Sequence, residues 1–331
     1  MALDDLPFPP WLRTLLTLSG VVGLFIVGCT AEGTDIRNHF CSRLPLVYLL
    51  GSFLFIPICT YLFLLGTHTE GPEAVGIMIL GFIPGGPGSL TFSAVARADT
   101  ALNMVLTNVA GVVLVPAMPL LCLSYLSTFT QKTTMRVNYW GLLESCIYVF
   151  VPVAAGVWAR HKSPRIRSII ERYGTGICIF LIFTTFPAQI VEYVKMPGSL
   201  WRALPGVAMG NAFVSLMSVC VGVGASLALS LDARTGTALT LEYLVHDLTI
   251  SGIVMITSVI GTKEEILTGM FAINVYFICS TILCTIAVIW HRMKRKRSAV
   301  ALVSETSLTQ EVTVPELLAD VNPSPVVSIK D

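Results

Sequence analysis

The sequence predicts an all-α polytopic membrane protein with about nine transmembrane helices, two of them interrupted. Hydrophobic residues make up 54% of the 331 residues, and charged residues only 12%. Because a soluble domain carries about 25% charged residues, this composition excludes a soluble fold. The apolar residues also fall into runs of about 20 residues, which is the length that a bilayer core requires. Clustered prolines, glycines and acidic residues then interrupt two of these runs.

Nine apolar runs are long enough to cross a bilayer. The predicted spans are 12–29, 44–65, 74–97, 99–125, 139–159, 174–194, 203–230, 234–260 and 265–290. Residues 12–290 therefore form the predicted transmembrane domain. A short segment, 1–11, precedes it. The polar, proline-containing residues 291–331 follow it and predict a disordered tail.

The distribution of positive charge predicts the orientation. The connection 159–173 is rich in arginine and lysine, and the sequence HRMKRKR ends the last span. The positive-inside rule places both in the cytoplasm. With an odd number of spans, the N-terminal segment 1–11 is then extracellular and the tail 291–331 is cytoplasmic.

The third span contains PGGPGS, residues 84–89. Pro84 and Pro87 each lack a backbone donor, and a proline ring clashes with the preceding helical turn. Irregular backbone at membrane depth is tolerated only where it is buried in protein or lines a cavity. We therefore predict that the span at about 74–97 is split into two half-helices.

The eighth span, at about 234–260, reads ALTLEYLVHDLTISGI around its centre. It places Glu242, His246 and Asp247 inside an apolar stretch. Ionisable side chains within a membrane are costly and are functional-site candidates by default. Glu242 and His246 would share one face of an intact helix. We predict that this span is also broken and that these residues belong to a site.

The two interrupted spans are five apart in chain order, so they cross the membrane in opposite directions. Paired interruptions of this kind indicate an inverted-repeat transporter with its site near the bilayer midplane. Half-helix N-termini attract anions, whereas carbonyl ends and Glu242 can hold a cation. The sequence thus predicts a site at the crossing of two discontinuous helices.

At these residues the chain resembles the bile acid:sodium symporter family. VGCTAEGTDIRNHF (27–40) is similar to the family's G-C-T-x-E segment. IPGGPGSLTFSAVARADTALNMVLT (83–107) is similar to its P-G-G-x-x-S-N segment and to the K/R-G-D-x-x-L-S segment that follows. Glu242 and the four residues after it resemble the E-x-G-x-Q-N segment. The resemblance covers about residues 20–290 and implies the nine-span animal type of the fold.

The resemblance also implies ligands for two sodium ions at the crossing. Those of a first site are Ser89, Asn103, Thr107 and Glu242. Asn103 stands where a serine is usual. Leu90 replaces an asparagine, so one oxygen ligand is missing. The first site is therefore reduced.

The implied second sodium site is degraded. Ser52 and His246 fall where the family has glutamines, and Asp247 replaces an asparagine. Because hard cations need several oxygen ligands, we expect coupling to shift from two sodium ions towards one sodium ion or a proton.

We expect a secondary active symporter of amphipathic organic anions, such as bile salts or steroid sulfates, coupled to sodium and located in the plasma membrane. Its expected partners are this anion, sodium and the lipid bilayer, with no cofactor and no nucleic acid. Two alternatives remain open. One is a proton-coupled or sodium-independent member that uses Glu242, His246 and Asp247. The other is a relative that no longer transports.

Three other classes of membrane protein compete with this interpretation. A receptor would be expected to have seven spans rather than nine. An intramembrane enzyme would require a catalytic set, and the sequence contains no HExxH, GxSxG or paired-aspartate motif. An inverted repeat does not exclude a channel, but flux against a gradient would. We therefore predict that the chain is not an enzyme.

Overall fold

A computed structural model describes residues 8–30, 43–130, 134–195 and 198–307. The chain divides into two compact units at Thr285. The predicted N-terminal segment up to residue 7, most of the 27–40 stretch and the tail from residue 308 lie outside the described residues.

The described residues are almost entirely helical. The elements before residue 131 are α1 (Pro10–Thr30), α2 (Arg43–Leu50), a π-helical turn (Gly51–Phe55), α3 (Ile56–Gly66), α4 (Gly71–Phe82), α5 (Pro87–Ala96), α6 (Thr100–Leu121), a second π-helical turn (Cys122–Leu126) and α7 (Ser127–Thr130). The later elements are β1 (Arg136–Val137), α8 (Tyr139–Lys162), α9 (Pro164–Val194), α10 (Gly198–Ala228), α11 (Ala233–Leu244), α12 (Leu248–Ser258), β2 (Val259–Ile260) and α13 (Lys263–Ser307).

Seven helices in the described part of the chain are long and apolar enough to cross a membrane. They are Pro10–Cys29, Arg43–Gly66, Thr100–Thr130, Trp140–Lys162, Gly176–Val194, Leu200–Ala228 and Lys263–Ile289. The prediction of an all-helical polytopic membrane protein is thus confirmed, while the count of nine spans stays a prediction. The other two predicted spans are each represented by two short helices, α4 with α5 and α11 with α12.

Local chemistry explains where the short helices begin and end. α4 ends at Phe82, before Pro84, and α5 begins with Pro87 in its first turn, where a missing backbone donor has no cost. α11 ends at Leu244, and Asp247 caps the start of α12 by accepting hydrogen bonds from two backbone amides. Both predicted breaks are therefore present.

The breaks between the short helices, residues 83–86 and 245–247, lie in the interior of the first unit. α11 packs against α5, α6 and α10, and α12 packs against α8, which in turn packs along α1. α4 is buried over almost its whole length. Irregular backbone at both breaks is thus buried in protein, as a membrane environment requires.

Two predicted boundaries differ from the structure. The connection expected at 159–173 is reduced to Ser163, because α8 runs to Lys162 and α9 begins at Pro164. Ser163 caps α9, and the arginines and lysines around it are good helix formers. α13 likewise continues to Ser307, well past residue 290, through a run that begins with several lysines and arginines, which are good helix formers.

Candidate functional site

The two breaks meet in space. Gly85 and His246 form an isolated antiparallel bridge, and the amide of Asp247 donates a hydrogen bond of 3.0 Å to the carbonyl of Pro84. Gly85 has to be a glycine here, since a Cβ atom would lie 2.6 Å from the carboxyl carbon of Glu242. The predicted crossing of two discontinuous helices is therefore the observed arrangement.

Glu242 lies at the centre of this crossing and is fully buried. Ser89 donates a hydrogen bond of 2.5 Å to its Oε2, and Thr107 donates one of 2.7 Å to its Oε1. The hydroxyl of Tyr48 lies 3.3 Å from Oε1 and also accepts a hydrogen bond from the amide of Gly85. Three hydroxyl groups from α2, α5 and α6 thus surround one carboxylate on α11.

Further oxygen atoms adjoin this cluster. The hydroxyl of Ser89 lies 2.6 Å from the carbonyl of Gly86 and 3.3 Å from Oδ1 of Asn103, whose amide nitrogen donates to Ser93. Ser89 has a single proton for three acceptors, so the cluster has more acceptors than donors. We call Ser89, Asn103, Thr107 and Glu242 the carboxylate face of the crossing.

The charge of Glu242 has no basic partner within the described residues. Buried charges in proteins are paired or coordinate metal ions. The described residues hold no group of three or more histidine, cysteine or acidic side chains suited to a transition metal. Carboxylate, hydroxyl, amide and carbonyl oxygens are instead the ligands that hard cations prefer.

His246 lies on the other side of the crossing. Its Nδ1 is 2.5 Å from the carbonyl of Ile83, and its Nε2 is 3.2 Å from the hydroxyl of Ser218 on α10. The ring of Tyr276 packs edge-on against the imidazole, and the Tyr276 hydroxyl donates to the carbonyl of Leu244. We call His246, Asp247, Ser218 and Tyr276 the histidine face of the crossing.

Two cavities flank α12. The crossing cavity, of about 470 Å³, is lined by Pro84, Gly85, Thr107, Asn108 and Asp247 and by aliphatic and aromatic side chains of α1, α6 and α8. The second cavity, of about 130 Å³, lies among α1, α9, α12 and α13 and includes Arg13, Gln189 and Asn274. Both combine apolar walls with a few polar groups, as ligand pockets commonly do.

Comparison with known proteins agrees with this architecture. The sequence model of the Sodium Bile acid symporter family matches residues 19–196. The chain belongs to the sodium bile acid symporter family. Members of this family are transporters rather than enzymes, so the prediction that the chain is not an enzyme is confirmed.

Individual relatives of the chain are distant in sequence. A sodium-dependent organic anion transporter of Rattus norvegicus is 26% identical over 176 residues, which is 52% of this chain and 47% of that protein. A hepatic sodium/bile acid cotransporter of the same species is 27% identical over 183 residues, 55% of this chain and 51% of that protein. The P3 protein of Mus musculus is 25% identical over 222 residues, 65% of this chain and 45% of that protein. The chain spans about half the length of the curated relatives it matches.

The structure brings together the four residues predicted for the first sodium site, namely Ser89, Asn103, Thr107 and Glu242. Ser52 is buried beside the hydroxyl of Tyr48, at the edge of the same cluster. His246 and Asp247 also lie at the crossing, but their polar atoms contact protein groups. Their role as ion ligands stays a prediction.

Sequence reasoning missed several members of the site. Tyr48, Ser93, Ser218 and Tyr276 all contact the crossing, yet each is a common residue within an apolar span. For Tyr48 a signal existed, because it lies four residues before Ser52 and therefore near it on the same side of the helical segment. The other three depend on tertiary packing alone.

Proposed function

We propose that the protein is a secondary active symporter that couples the movement of sodium to that of an amphipathic organic anion. The observation that carries this proposal is the carboxylate face, where a fully buried acid lies among hydroxyl and amide oxygens at the crossing of two broken helices. We place the protein in the plasma membrane, with its N-terminus outside and its C-terminus in the cytoplasm.

The coupling ion that suits the carboxylate face is sodium. Ser89 Oγ, Thr107 Oγ1, both carboxylate oxygens of Glu242 and Oδ1 of Asn103 come from three different helices. A monovalent cation among them would neutralise the buried carboxylate and relieve the surplus of acceptors. Binding would also tie α5, α6 and α11 together, which provides a physical link between the ion and the conformation of both breaks.

The crossing cavity is the proposed place for the organic substrate. Its volume of about 470 Å³ lies within the range of about 300–1,000 Å³ found for ligand pockets. Apolar walls suit a steroid-like body, and Asn108 offers a polar contact near the ion. Because Asp247 would repel an anionic group, we place the charged end of the substrate towards His161, which lines the cavity on α8.

Two relatives support this substrate class by name, one as an organic anion transporter and one as a bile acid cotransporter. We therefore propose bile salts and steroid sulfates as the first compounds to test. Proton-coupled transport, sodium-independent transport and loss of transport are outcomes that the same experiment distinguishes.

The test is uptake into proteoliposomes that contain the purified protein. Radiolabelled taurine-conjugated bile salt and radiolabelled steroid sulfate are offered with an inward gradient of sodium, of choline or of protons. We expect accumulation only with the sodium gradient and a loss of more than about tenfold in Glu242→Gln. Glu144→Gln is the matched control, since Glu144 is exposed on α8, and it should retain uptake.

Three results would contradict the proposal. They are equal accumulation with choline, accumulation driven by protons alone, or unchanged sodium dependence in Glu242→Gln. Absence of uptake for both compounds, together with absence of sodium binding to the purified protein, would favour a relative that does not transport.

A further inference from the structure

We infer that the histidine face of the crossing is closed to cations by His246, so that the protein carries one sodium ion per cycle, at the carboxylate face alone. This inference rests on the proposed function and specifies its ion stoichiometry. It follows from how the backbone carbonyls at the two breaks are used.

A half-helix that ends inside a protein leaves carbonyl groups that require a donor or a cation. In the segment that follows α4, two backbone carbonyls have protein donors. Nδ1 of His246 donates to the carbonyl of Ile83 at 2.5 Å, and the amide of Asp247 donates to the carbonyl of Pro84 at 3.0 Å. These two contacts tie the first break directly to the second.

The last carbonyl of α11 also has a protein donor. The hydroxyl of Tyr276 donates to the carbonyl of Leu244 at 2.5 Å. Oδ1 of Asp247 is occupied as the cap of α12, where it accepts from the amides of Thr249 and Ile250 at 2.8 and 3.1 Å. The carbonyls of Ile83, Pro84 and Leu244 and Oδ1 of Asp247 therefore already accept protein hydrogen bonds.

The imidazole of His246 is fixed by two hydrogen bonds and one aromatic contact. Both ring nitrogens have partners, Ile83 and Ser218, and the ring of Tyr276 packs against its face with centroids 5.2 Å apart. His246 is also 95% buried, since only 5% of its surface is exposed. The ring thus takes the volume and the bridging role that a cation would need on this face.

The carboxylate face differs in its balance of donors and acceptors. Its oxygens outnumber its donors, since the Ser89 hydroxyl has one proton for three acceptors. Glu242 there contacts only hydroxyl groups, whereas Oδ1 of Asp247 accepts from two backbone amides. The carboxylate face therefore has unsatisfied acceptors that a cation would satisfy, whereas the histidine face is already bridged by protein hydrogen bonds. This asymmetry is the basis for proposing one bound sodium ion per chain.

The experiment is equilibrium binding of ²²Na⁺ to the purified full-length protein in detergent, read as moles bound per mole of chain. We expect one sodium ion per wild-type chain with a Hill coefficient of one, and no bound sodium in Glu242→Gln. His246→Gln removes the ring and adds an amide oxygen beside the carbonyl of Ile83 and the hydroxyl of Ser218. We expect it to bind two.

His68→Gln is the matched control, because His68 is exposed in the turn after α3, and it should still bind one ion. Two ions bound to the wild type would overturn the inference, as would a count of one in a folded His246→Gln. The wild-type count keeps the inference testable if His246→Gln fails to fold. Absence of sodium binding to the wild type would instead contradict the proposed function itself.

Discussion

Removal of the Ser89 hydroxyl is the perturbation whose size can be worked most directly from the structure. Ser89→Ala deletes a hydrogen bond of 2.5 Å to Glu242 and one oxygen atom of the carboxylate face. A hydrogen bond to a charged group contributes about 1.5–3 kcal/mol. If that contribution belongs to the sodium-bound state, sodium affinity should fall by about 10- to 160-fold.

The assay is the stabilisation of the purified protein by sodium, measured as the melting temperature over a titration of NaCl against choline chloride at constant ionic strength. Ligands that bind the folded state raise its stability in proportion to ln(1 + [L]/Kd), so the sodium concentration at which the melting temperature begins to rise reports the affinity. Ser124→Ala is the control, because Ser124 is exposed on α6's π-helical continuation and bonds only its own helix.

The expected result is a shift of the Ser89→Ala response to higher sodium concentration, with the Ser124→Ala response unchanged. An equal response in Ser89→Ala and wild type would refute the reasoning, since it would mean that the hydroxyl is not part of the ion site. A melting temperature lowered by the same amount at every sodium concentration, with the rise beginning at the same concentration as in wild type, would refute it equally and would assign Ser89 a structural role.

Three further predictions concern the crossing and its supports. Gly85→Ala should destabilise the protein by about 1–3 kcal/mol, because its Cβ would lie 2.5 Å from the carbonyl oxygen of Glu242. Gly224→Ala is the control and should not destabilise it, since a Cβ there meets open space. Thermal unfolding of the two variants tests both expectations. Thr107→Val should weaken sodium-dependent uptake by about tenfold, while Thr107→Ser should retain it, since only the hydroxyl contacts Glu242; equal losses in the two variants would contradict this. Asp232 caps α11, and a hydrogen bond from Thr235 lowers the pKa of its carboxyl. Because the pKa is lowered, the contribution of the cap to stability is present at neutral pH and is lost as the pH falls through the folded-state pKa. The difference in melting temperature between wild type and Asp232→Ala should therefore shrink only below about pH 4.

The sequence alone located both breaks, because each rests on local chemistry. Proline removes a backbone donor wherever it stands, and Pro84 and Pro87 therefore end one helix and begin the next. Asp247 marks the second break for a related reason, since an aspartate readily caps the start of a new helix. The order of the spans followed from hydropathy in the same local way.

The partners of the site could not be predicted so well. Tyr48 reaches Glu242 across 194 positions of the chain, and no local pattern sets that distance. The sequence placed Glu242 and His246 on one face of an intact helix, but α11 ends at Leu244, so the two side chains point to different faces of the crossing. The break that the sequence predicted is itself the reason why they separate.

The connection at 159–173 shows the limit of charge as a guide to structure. Arginines and lysines indicate which side of a membrane a segment faces, but they do not distinguish a loop from the end of a long helix. Here α8 and α9 project past the apolar core of their spans and meet at Ser163.

The most direct test of the central claim is an experimental map of the protein at high resolution, determined in sodium and again in choline. We expect both breaks to meet at Gly85 and His246, with a sodium-dependent density peak coordinated by Glu242, Ser89 and Thr107. Continuous helices through residues 83–86 and 245–247, or a map without any difference between sodium and choline at Glu242, would contradict the account.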